Sequence, residues 1–268
     1  MAHRTLINGT GYDISGGRDL IGGTGYGKKK GRVLVNGTGY DVPFSSGIPI
    51  GTLAVGSVVK IGVNGKSYDF LVVNQGIPSN SSLYDSSCNG TWLLMKDIYE
   101  KRVWHSQMKN NYEESTINTY LNGEFFNLID SDARSSIKQI KIPHRKNGGS
   151  GGYEQSGENG LPCKVLLLSA KEVGWGSDSY VPGDGAKLDY FAEGSSGGSG
   201  RIAKLDGAIT PWTLRSPYTG DTYRIWRVES NGACRVDNVI VTNGIRPAFT
   251  LPGEFPVVQN ADGTYAPA

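Results

Sequence analysis

The sequence has few residues of the types that build metal centres and disulfide frameworks. Three cysteines and three histidines occur in 268 residues: Cys88, Cys163, Cys234, His3, His105 and His144. No cysteines have the CxxC spacing and no histidines the HxxxH spacing, so the sequence carries no zinc signature. An odd number of distant cysteines allows at most one disulfide. We therefore predict neither a metal nor a cofactor.

Long apolar runs and a strong net charge are also missing. No run of about 18 apolar residues occurs, so we predict no membrane insertion. The formal net charge is +2, which gives no electrostatic argument for a nucleic acid partner. The first residues, MAHRTLINGT, contain no apolar segment of a secretory signal, so we expect synthesis in the cytoplasm without a signal peptide. Glycine is abundant instead, with 39 residues, which predicts turn-rich β structure and long ordered loops.

A repeat of 14 residues occupies the start of the chain. Three copies follow the pattern RxL[IV][NG]GTGY and begin at Arg4, Arg18 and Arg32. Each predicts a short strand and a glycine turn, with Asn8-Gly9 and Asn36-Gly37 as the strongest turn signals. One such unit cannot bury its own apolar face, so it must stack on its neighbours or on another chain. We predict that residues 1–50 form a β-repeat module for docking or oligomerisation; a flexible basic leader is the alternative.

The middle of the chain predicts strands and helices in turn. Residues 55–76 alternate around Asn64-Gly65, which predicts a hairpin whose core residues are Val58, Ile61, Phe70 and Val72. Residues 92–104 and 112–128 have helical spacing, and Ser131 and Asp132 are expected to cap a short third helix. Residues 137–143 predict a strand, and residues 164–174 a strand followed by a helical turn.

Five motifs occur in a fixed order and carry a resemblance. They are GTWLLMK (90–96), NYxxSxIxxYLN (111–122), KVLLLSxxEV (164–173), WxLRSP (212–217) and GIRPAF (244–249). Together they resemble a poorly characterised domain of gut bacteria and their phages, covering about residues 55–252. The last two motifs are similar to those of C-type-lectin-fold variable proteins diversified by retroelements, and more distantly to those of formylglycine-generating enzymes. The GTGYD repeats resemble phage tail-associated sequence.

This resemblance implies the fold and the domain boundaries. The expected fold class is α+β, with a C-type-lectin-like ligand-binding domain over residues 51–252. The β-repeat module (1–50) would precede this domain, and a C-terminal tail (253–268) would follow it.

The segment between the last two motifs is the candidate binding surface. Tyr, Trp and Arg, which dominate binding hot spots, are concentrated there, and residues 230–232 (SNG) predict the turn of a hairpin. The expected ligand-binding residues are Tyr218, Thr219, Asp221, Tyr223, Arg224, Trp226, Arg227, Arg235, Asp237 and Asn238. Ile225 and Val228 are three positions apart and would face opposite sides of a regular strand, so we expect a bulge. Which side chains of the hairpin face outward is left open. The alternative is a half-buried hairpin whose aromatic side chains fill a core.

The motifs that flank this hairpin are expected to be its scaffold. The predicted scaffold residues are Trp212, Arg215, Arg246 and Pro247. An arginine among such apolar neighbours must meet carboxylates or carbonyl groups when buried.

Other polar residues give weaker candidates. Asp178, Asp184 and Asp189 share a glycine-rich loop and are one candidate calcium site, although a solvated loop is the favoured interpretation. His144 is expected to be solvated and His105 to pack or cap a helix end.

The function implied by the resemblance is non-catalytic. The chain would be a receptor-binding protein of a phage tail, located in the virion, that contacts a host cell-surface protein or glycan. Residues 1–50 would bind other phage tail proteins, and a homo-oligomer, taken as a trimer, is expected. A bacterial adhesin of the same fold is the alternative. An enzyme related to the formylglycine-generating group is a further one, disfavoured because Cys234 is the only cysteine in the C-terminal core.

Overall fold

A computed structural model divides the chain into two compact units. The first comprises Met1–Gly47 with Ala268, and the second comprises Ile48–Pro267. The structure describes residues 47–79, 82–176, 178–191 and 198–268, and before residue 47 the backbone of six strands.

Each repeat of the first unit contains one antiparallel pair of strands. The pairs are β1 (His3–Ile7) with β2 (Thr10–Ile14), β3 (Leu20–Ile21) with β4 (Thr24–Gly25), and β5 (Lys30–Val35) with β6 (Thr38–Pro43). The predicted short strands are confirmed, whereas the turn residues Asn8-Gly9 and Asn36-Gly37 lie outside the described residues. The register is shared, because Arg4 faces Asp13 in the first repeat and Arg32 faces Asp41 in the third.

The second unit is built mainly from strands. In chain order these are β7 (Ile48–Pro49), β8 (Val58–Val63), β9 (Lys66–Gln75), β10 (Thr91–Met95), β11 (Glu100–Val103), β12 (Ile140–Ile142), β13 (His144–Lys146), β14 (Tyr153–Gln155), β15 (Leu161–Cys163), β16 (Val165–Leu166), β17 (Lys204–Leu205), β18 (Ala208–Ile209), β19 (Trp212–Pro217), β20 (Arg224–Val228), β21 (Cys234–Asn238), β22 (Thr242–Ile245), β23 (Ala248–Leu251), β24 (Pro256–Gln259) and β25 (Tyr265–Pro267). Short 3₁₀ turns occur at Ile50–Thr52, Ser86–Cys88 and Ser199–Arg201.

One helical segment of 13 residues accompanies these strands. It consists of α1 (Thr116–Tyr120), a π-helical turn (Leu121–Phe125) and α2 (Phe126–Leu128), and the short α3 (Ser131–Arg134) follows. The Ser115 hydroxyl caps its start by accepting a hydrogen bond from the Asn118 amide at 3.2 Å. The helix predicted over residues 112–128 and the short helix after it are therefore both present, although Asp130 takes the capping position of α3.

An eight-stranded sheet curls into a half-barrel. Its order is β16-β23-β10-β9-β8-β25-β24-β7. The predicted β8–β9 hairpin is confirmed, and its turn residues Asn64 and Gly65 have φ angles of 51° and 72°. Residues 253–268, which the sequence analysis separates as a tail, contribute β24 and β25 to this sheet.

The predicted core of that hairpin is largely correct. Ile61, Phe70 and Val72 are fully buried, whereas Val58 is half-buried. Strand alternation explains the difference, because Val59 shares the inner face of β8 with Ile61 and so turns Val58 to the other face.

The helix predicted over residues 92–104 is wrong. The same residues form β10, which lies between β9 and β23, and β11, which belongs to a second sheet. Every residue of β10 is buried because the strand is covered on both faces. Such a strand has no apolar–polar alternation, and periodicity cannot distinguish it from a buried helix.

The second sheet has five strands in the order β11-β22-β19-β20-β21. It contains the WxLRSP motif in β19 and the predicted hairpin, whereas the GIRPAF motif begins in β22 and continues into β23 of the eight-stranded sheet. Strands make up 37% of the chain and helices 12%. The predicted fold class, α+β with a C-type-lectin-like domain, is therefore wrong, and the chain is mostly β.

Gly90, at the start of the first motif, is a packing requirement that can be tested. A Cβ atom there would lie 2.5 Å from the Leu251 carbonyl oxygen, so we expect Gly90→Ala to lower the free energy of unfolding by about 1–3 kcal/mol. Gly123 is the matched control, because its position is helical and open. Gly123→Ala should stabilise the protein by about 0.5–1 kcal/mol. Urea unfolding of both variants measures the contrast, and equal effects would contradict it.

Candidate functional site

A buried ion pair joins two of the sequence motifs. Arg215 donates from Nη1 to Glu172 Oε2 at 2.5 Å and from Nη2 to Oε1 at 2.6 Å, and both side chains are almost fully buried. Ser169 and Glu172 form a capping box, in which the Ser169 amide donates to Glu172 Oε2 and the Glu172 amide donates to Ser169 Oγ. Tyr84 Oη donates to Glu172 Oε1 at 2.9 Å. Removing one member of such a pair leaves an uncompensated buried charge, which costs about 3–5 kcal/mol.

A second buried carboxyl group, that of Asp184, lies beside this pair. Its Oδ2 accepts a hydrogen bond from Ser216 Oγ at 2.7 Å, and its Oδ1 has no hydrogen-bond partner. Burial raises the pKa of Asp184 to about 7, although Arg215 and the Ser216 hydrogen bond act in the opposite direction. The WxLRSP motif thus contributes Arg215 as the partner of Glu172 and Ser216 as the partner of Asp184.

The other predicted scaffold residues also lie in the core. Arg246 donates to the carbonyl oxygens of Met95 and Lys96 at 3.1 and 2.8 Å, and its guanidinium carbon lies 4.6 Å from the centre of the Trp212 ring. Burial lowers the pKa of Arg246 to about 10. Pro247 accepts the Met95 amide at 2.9 Å. These contacts fasten the five-stranded sheet to β10.

The predicted hairpin forms from β20 and β21 without a bulge. Arg224 faces Asn238 and Val228 faces Cys234 in one continuous register. The irregularity lies in β19, where the pairing with β20 shifts between Thr213 and Pro217. The Arg215 amide bonds to Leu168 there instead.

Trp226 does not face the solvent, contrary to its place in the predicted ligand-binding set. Only 3% of it is exposed, because the rings of Trp175 and Tyr218 cover the outer face of β20, at 6.4 and 6.0 Å between ring centres. Ile225 is also fully buried, so both faces of β20 are covered.

Several polar members of the predicted set bind one another. Arg227 bonds to Asp237 at 2.5 Å and to Glu229 at 2.9 Å, and Asn243 Nδ2 bonds to the same Asp237 oxygen at 3.0 Å. The Asn238 side chain accepts the amide of Ile240 at 3.2 Å. These side chains therefore hold the end of the hairpin in shape. Arg235, opposite Arg227, is exposed on the edge strand β21.

The remaining members lie on the loop between β19 and β20 and at the first residue of β20. Arg224 forms an ion pair with Asp221 at 2.5 Å, and its guanidinium carbon lies 4.5 Å from the centre of the Tyr218 ring and 5.8 Å from that of Tyr223. Partial burial opposes ionisation of Asp221, but the Arg224 hydrogen bond holds its pKa below the usual range. Tyr223 is 40% exposed. Thr219, which is half-buried, donates its amide to the Tyr180 carbonyl at 3.1 Å.

Asn110 fixes this loop and was missed by the sequence analysis. Its Nδ2 lies 3.2, 3.2 and 2.7 Å from the carbonyl oxygens of Tyr218, Asp221 and Arg224, and its Oδ1 accepts the Gly149 amide at 2.7 Å. Asn110 is only 1% exposed. No local pattern marks this residue, because all of its side-chain partners are at least 39 positions away in the sequence.

Large apolar side chains are exposed around the same loop. They are Met108 (49%), Tyr180 (46%), Tyr223 (40%), Ile240 (49%) and Val241 (40%). Backbone hydrogen bonds join their segments, because Asn110 donates to Thr222, Val239 donates to Tyr223, and Thr219 donates to Tyr180. We call these five residues, with Tyr218 and Arg224, the loop-end surface. Met108, Tyr180, Ile240 and Val241 were not predicted, since exposed apolar residues in loops carry no sequence signal.

The weaker candidates lie apart from this surface or in the core. His105 Nδ1 accepts the Thr116 amide at 3.3 Å, at the start of α1. His144 is 3% exposed rather than solvated, and burial lowers its pKa. Cys234 is also buried, which raises the pKa of its thiol to about 12.

The three aspartates of the candidate calcium loop are used differently. The Asp178 carboxylate accepts the Tyr180 amide at 2.8 Å, and Asp184 bonds to Ser216 in the core, whereas Asp189 is exposed. Within the described residues, no group of three or more histidine, cysteine or acidic side chains is arranged to hold a metal ion. Over the same residues, no helix is long and apolar enough to cross a membrane.

Replacement of Asn110 by aspartate tests its role in the loop. Asn110→Asp places a carboxylate oxygen against three carbonyl oxygens, so we expect a loss of about 2–4 kcal/mol in the free energy of unfolding. Hydrogen exchange over residues 218–224 should accelerate at the same time. Asn127→Asp, at an exposed helix position, is the control and should change stability by less than about 0.5 kcal/mol. Unchanged exchange in the Asn110 variant would contradict this role.

Comparison with known proteins identifies a family for the region that contains these motifs. Residues 89–253 match the model of a domain of unknown function, DUF6273. No curated protein and no solved structure matches the chain. The matched region includes the Glu172–Arg215 pair, Asn110 and the whole loop-end surface, and it covers more than half of the 268 residues. The chain therefore belongs to the DUF6273 family.

Proposed function

We propose that this chain is a non-catalytic receptor-binding protein of a phage tail. It binds a host cell-surface protein or glycan through the loop-end surface. The observation that carries the proposal is the set of exposed apolar side chains on chain segments that backbone hydrogen bonds join, because exposed apolar patches mark interaction sites on soluble proteins.

The chemistry of the surface supports this role. Tyr180 and Tyr218 stack with 4.8 Å between ring centres, and Arg224 covers Tyr218. Tyrosine and arginine are enriched in binding hot spots, and tyrosine offers a large contact area at a small cost in conformational entropy. Ile240 and Val241 add apolar area at the rim.

The residues that hold the loops of this surface in place also favour binding. Asn110, the Asp221–Arg224 pair and the Asp237–Arg227 pair hold the loops before any ligand arrives. A pre-ordered surface loses less entropy on association and therefore binds more tightly.

The repeats provide the second part of the proposal. Residues 1–47 form their own compact unit, which contains three antiparallel strand pairs. In this proposal they attach the chain to other tail proteins and assemble it as a homo-oligomer, taken as a trimer. Several copies of the loop-end surface on one particle would raise the apparent affinity for a cell by multivalency.

Attachment to cells tests the surface. The fluorescently labelled full-length chain is incubated with a panel of gut bacteria, beside the double variant Tyr223→Ala with Ile240→Ala. Both side chains are exposed, so the variant should fold normally, whereas attachment should weaken at least tenfold, or about 1.4 kcal/mol. Trp226 is left unchanged because it is buried.

Ile209→Ala provides the control. Ile209 is 51% exposed but belongs to the β17–β18 hairpin, so its replacement should leave attachment unchanged. Equal attachment by all three proteins would place recognition elsewhere and overturn the proposed surface. Immunogold labelling of phage particles tests the virion location independently, and label on bacterial cell walls alone would favour an adhesin.

A further inference from the structure

The core beneath the loop-end surface contains one more carboxyl group than it can neutralise. Arg215 is bonded through two nitrogens to Glu172. Asp184, which is 1% exposed, receives a single side-chain hydrogen bond, from Ser216. One of its oxygens has no partner at all. Ionisation of Asp184 therefore places a second negative charge in a site whose one cation is already bound.

The two carboxyl groups differ in how firmly they are held. Glu172 receives hydrogen bonds from Tyr84, from the Ser169 amide and from Arg215. Asp184 lies on the loop of residues 178–191, and its carboxyl group takes no part in the ion pair, although its carbonyl oxygen accepts a hydrogen bond from Arg215 Nη2 at 2.7 Å. Repulsion between the two charged groups would therefore act on this loop rather than on Glu172.

The same loop forms part of the loop-end surface. The Tyr180 carbonyl accepts the Thr219 amide at 3.1 Å and Trp226 Nε1 at 3.3 Å. Asp184 lies just after Tyr180 in the chain, and Ser216, its partner, lies just before Tyr218. The Asp184–Ser216 hydrogen bond thus joins the two chain segments that carry the stacked tyrosines.

We propose that Asp184 makes the loop-end surface sensitive to pH. When the Asp184 carboxyl group is neutral, the loop of residues 178–191 packs against the core and Tyr180 stacks on Tyr218. When the pH rises through neutrality, Asp184 ionises and the loop loosens, which weakens ligand binding. This regulatory role rests on the proposed function, whereas the ionisation of Asp184 does not.

The other groups around Asp184 do not supply a compensating charge. Glu172 adds to the repulsion, and Tyr84 stays neutral because burial raises its pKa well above the usual range. The His144 side chain on β13 is neutral near pH 7 because burial lowers its pKa. On β14, Glu154 accepts the Gly183 amide at 3.4 Å and is paired with Arg145 at 2.6 Å. Among the described residues, Arg215 is the cation that acts on Asp184, and Glu172 already binds it.

The direction of the pH dependence follows from the raised pKa. Burial lifts the pKa of Asp184 from 3.8 to about 7, so the folded protein holds this proton more tightly than the unfolded chain. The resulting stabilisation is complete below pH 3.8 and is lost as the pH rises through about 7. Between pH 5.5 and 8.5 the folding equilibrium constant should fall roughly 30-fold on this account.

Urea unfolding and hydrogen exchange of the full-length chain at pH 5.5 and 8.5 test the proposal, in wild type and in Asp184→Asn. The amide of the variant cannot ionise, so most of the pH dependence should disappear. Asp189→Asn, an exposed residue of the same loop, should behave as wild type. The lowered pKa of His105 and His144 acts in the opposite direction, and both residues are present in all three proteins.

Hydrogen exchange reports on the loop itself, after correction for the intrinsic effect of pH. In wild type, protection of residues 178–191 should fall at pH 8.5 more than protection of the eight-stranded sheet. This measurement needs no variant and so stands even if Asp184→Asn does not fold. Unchanged loop protection, or a wild-type pH dependence in Asp184→Asn, overturns the proposal. Neither experiment uses a ligand, so a negative result here is distinguishable from a failure of the chain to attach to cells.

Discussion

The buried Arg215–Glu172 pair is the interaction on which the C-terminal half of the second unit depends. It joins the irregular part of β19 to the capping box that follows β16, and the Arg215 guanidinium also binds the carbonyl oxygens of Leu167 and Asp184. A pair of this kind adds little net stability compared with apolar packing, because both charges lose their hydration. The pair instead fixes the position of β19 relative to the capping box, since a buried guanidinium that binds a carboxylate through two nitrogens has few other ways to satisfy its donors.

That arrangement explains why the candidate surface is made of loops rather than of the hairpin strands. β19 turns away from β20 to place Arg215 in the core, and the chain then returns to the sheet through residues 218–224. Asn110 holds this loop by its carbonyl groups, so the side chain of Tyr223 remains exposed. The hairpin strands are less available for contact, because Trp226 is buried and Arg227 forms ion pairs with Glu229 and Asp237.

Local features of the fold could be predicted from the sequence, and features that depend on distant contacts could not. Asn64-Gly65 specified a hairpin, and the spacing of residues 112–128 specified a helix, because both signals act within a few residues. The apolar run in β10 was misread as a helix, since only the neighbouring strands β9 and β23 show that both its faces are covered. The need of a buried arginine for a partner was evident, but its partner Glu172 is 43 residues away. The burial of Trp226 by Trp175 and Tyr218 is non-local in the same way.

In the proposed function, the two units perform tasks that place opposite demands on a sequence. Repetition suits assembly, because the strand pairs share one backbone register, as the matching Arg–Asp positions of the first and third repeats show. Recognition requires the reverse, a single surface whose side chains differ from one another and can change without altering the scaffold. The loop-end surface meets that requirement, since its exposed side chains project from loops held by backbone hydrogen bonds and by buried residues. Substitution of the Met108, Ile240 or Val241 side chain removes no side-chain hydrogen bond on which the fold relies, so under the proposed function these positions could change with the ligand at little cost in stability.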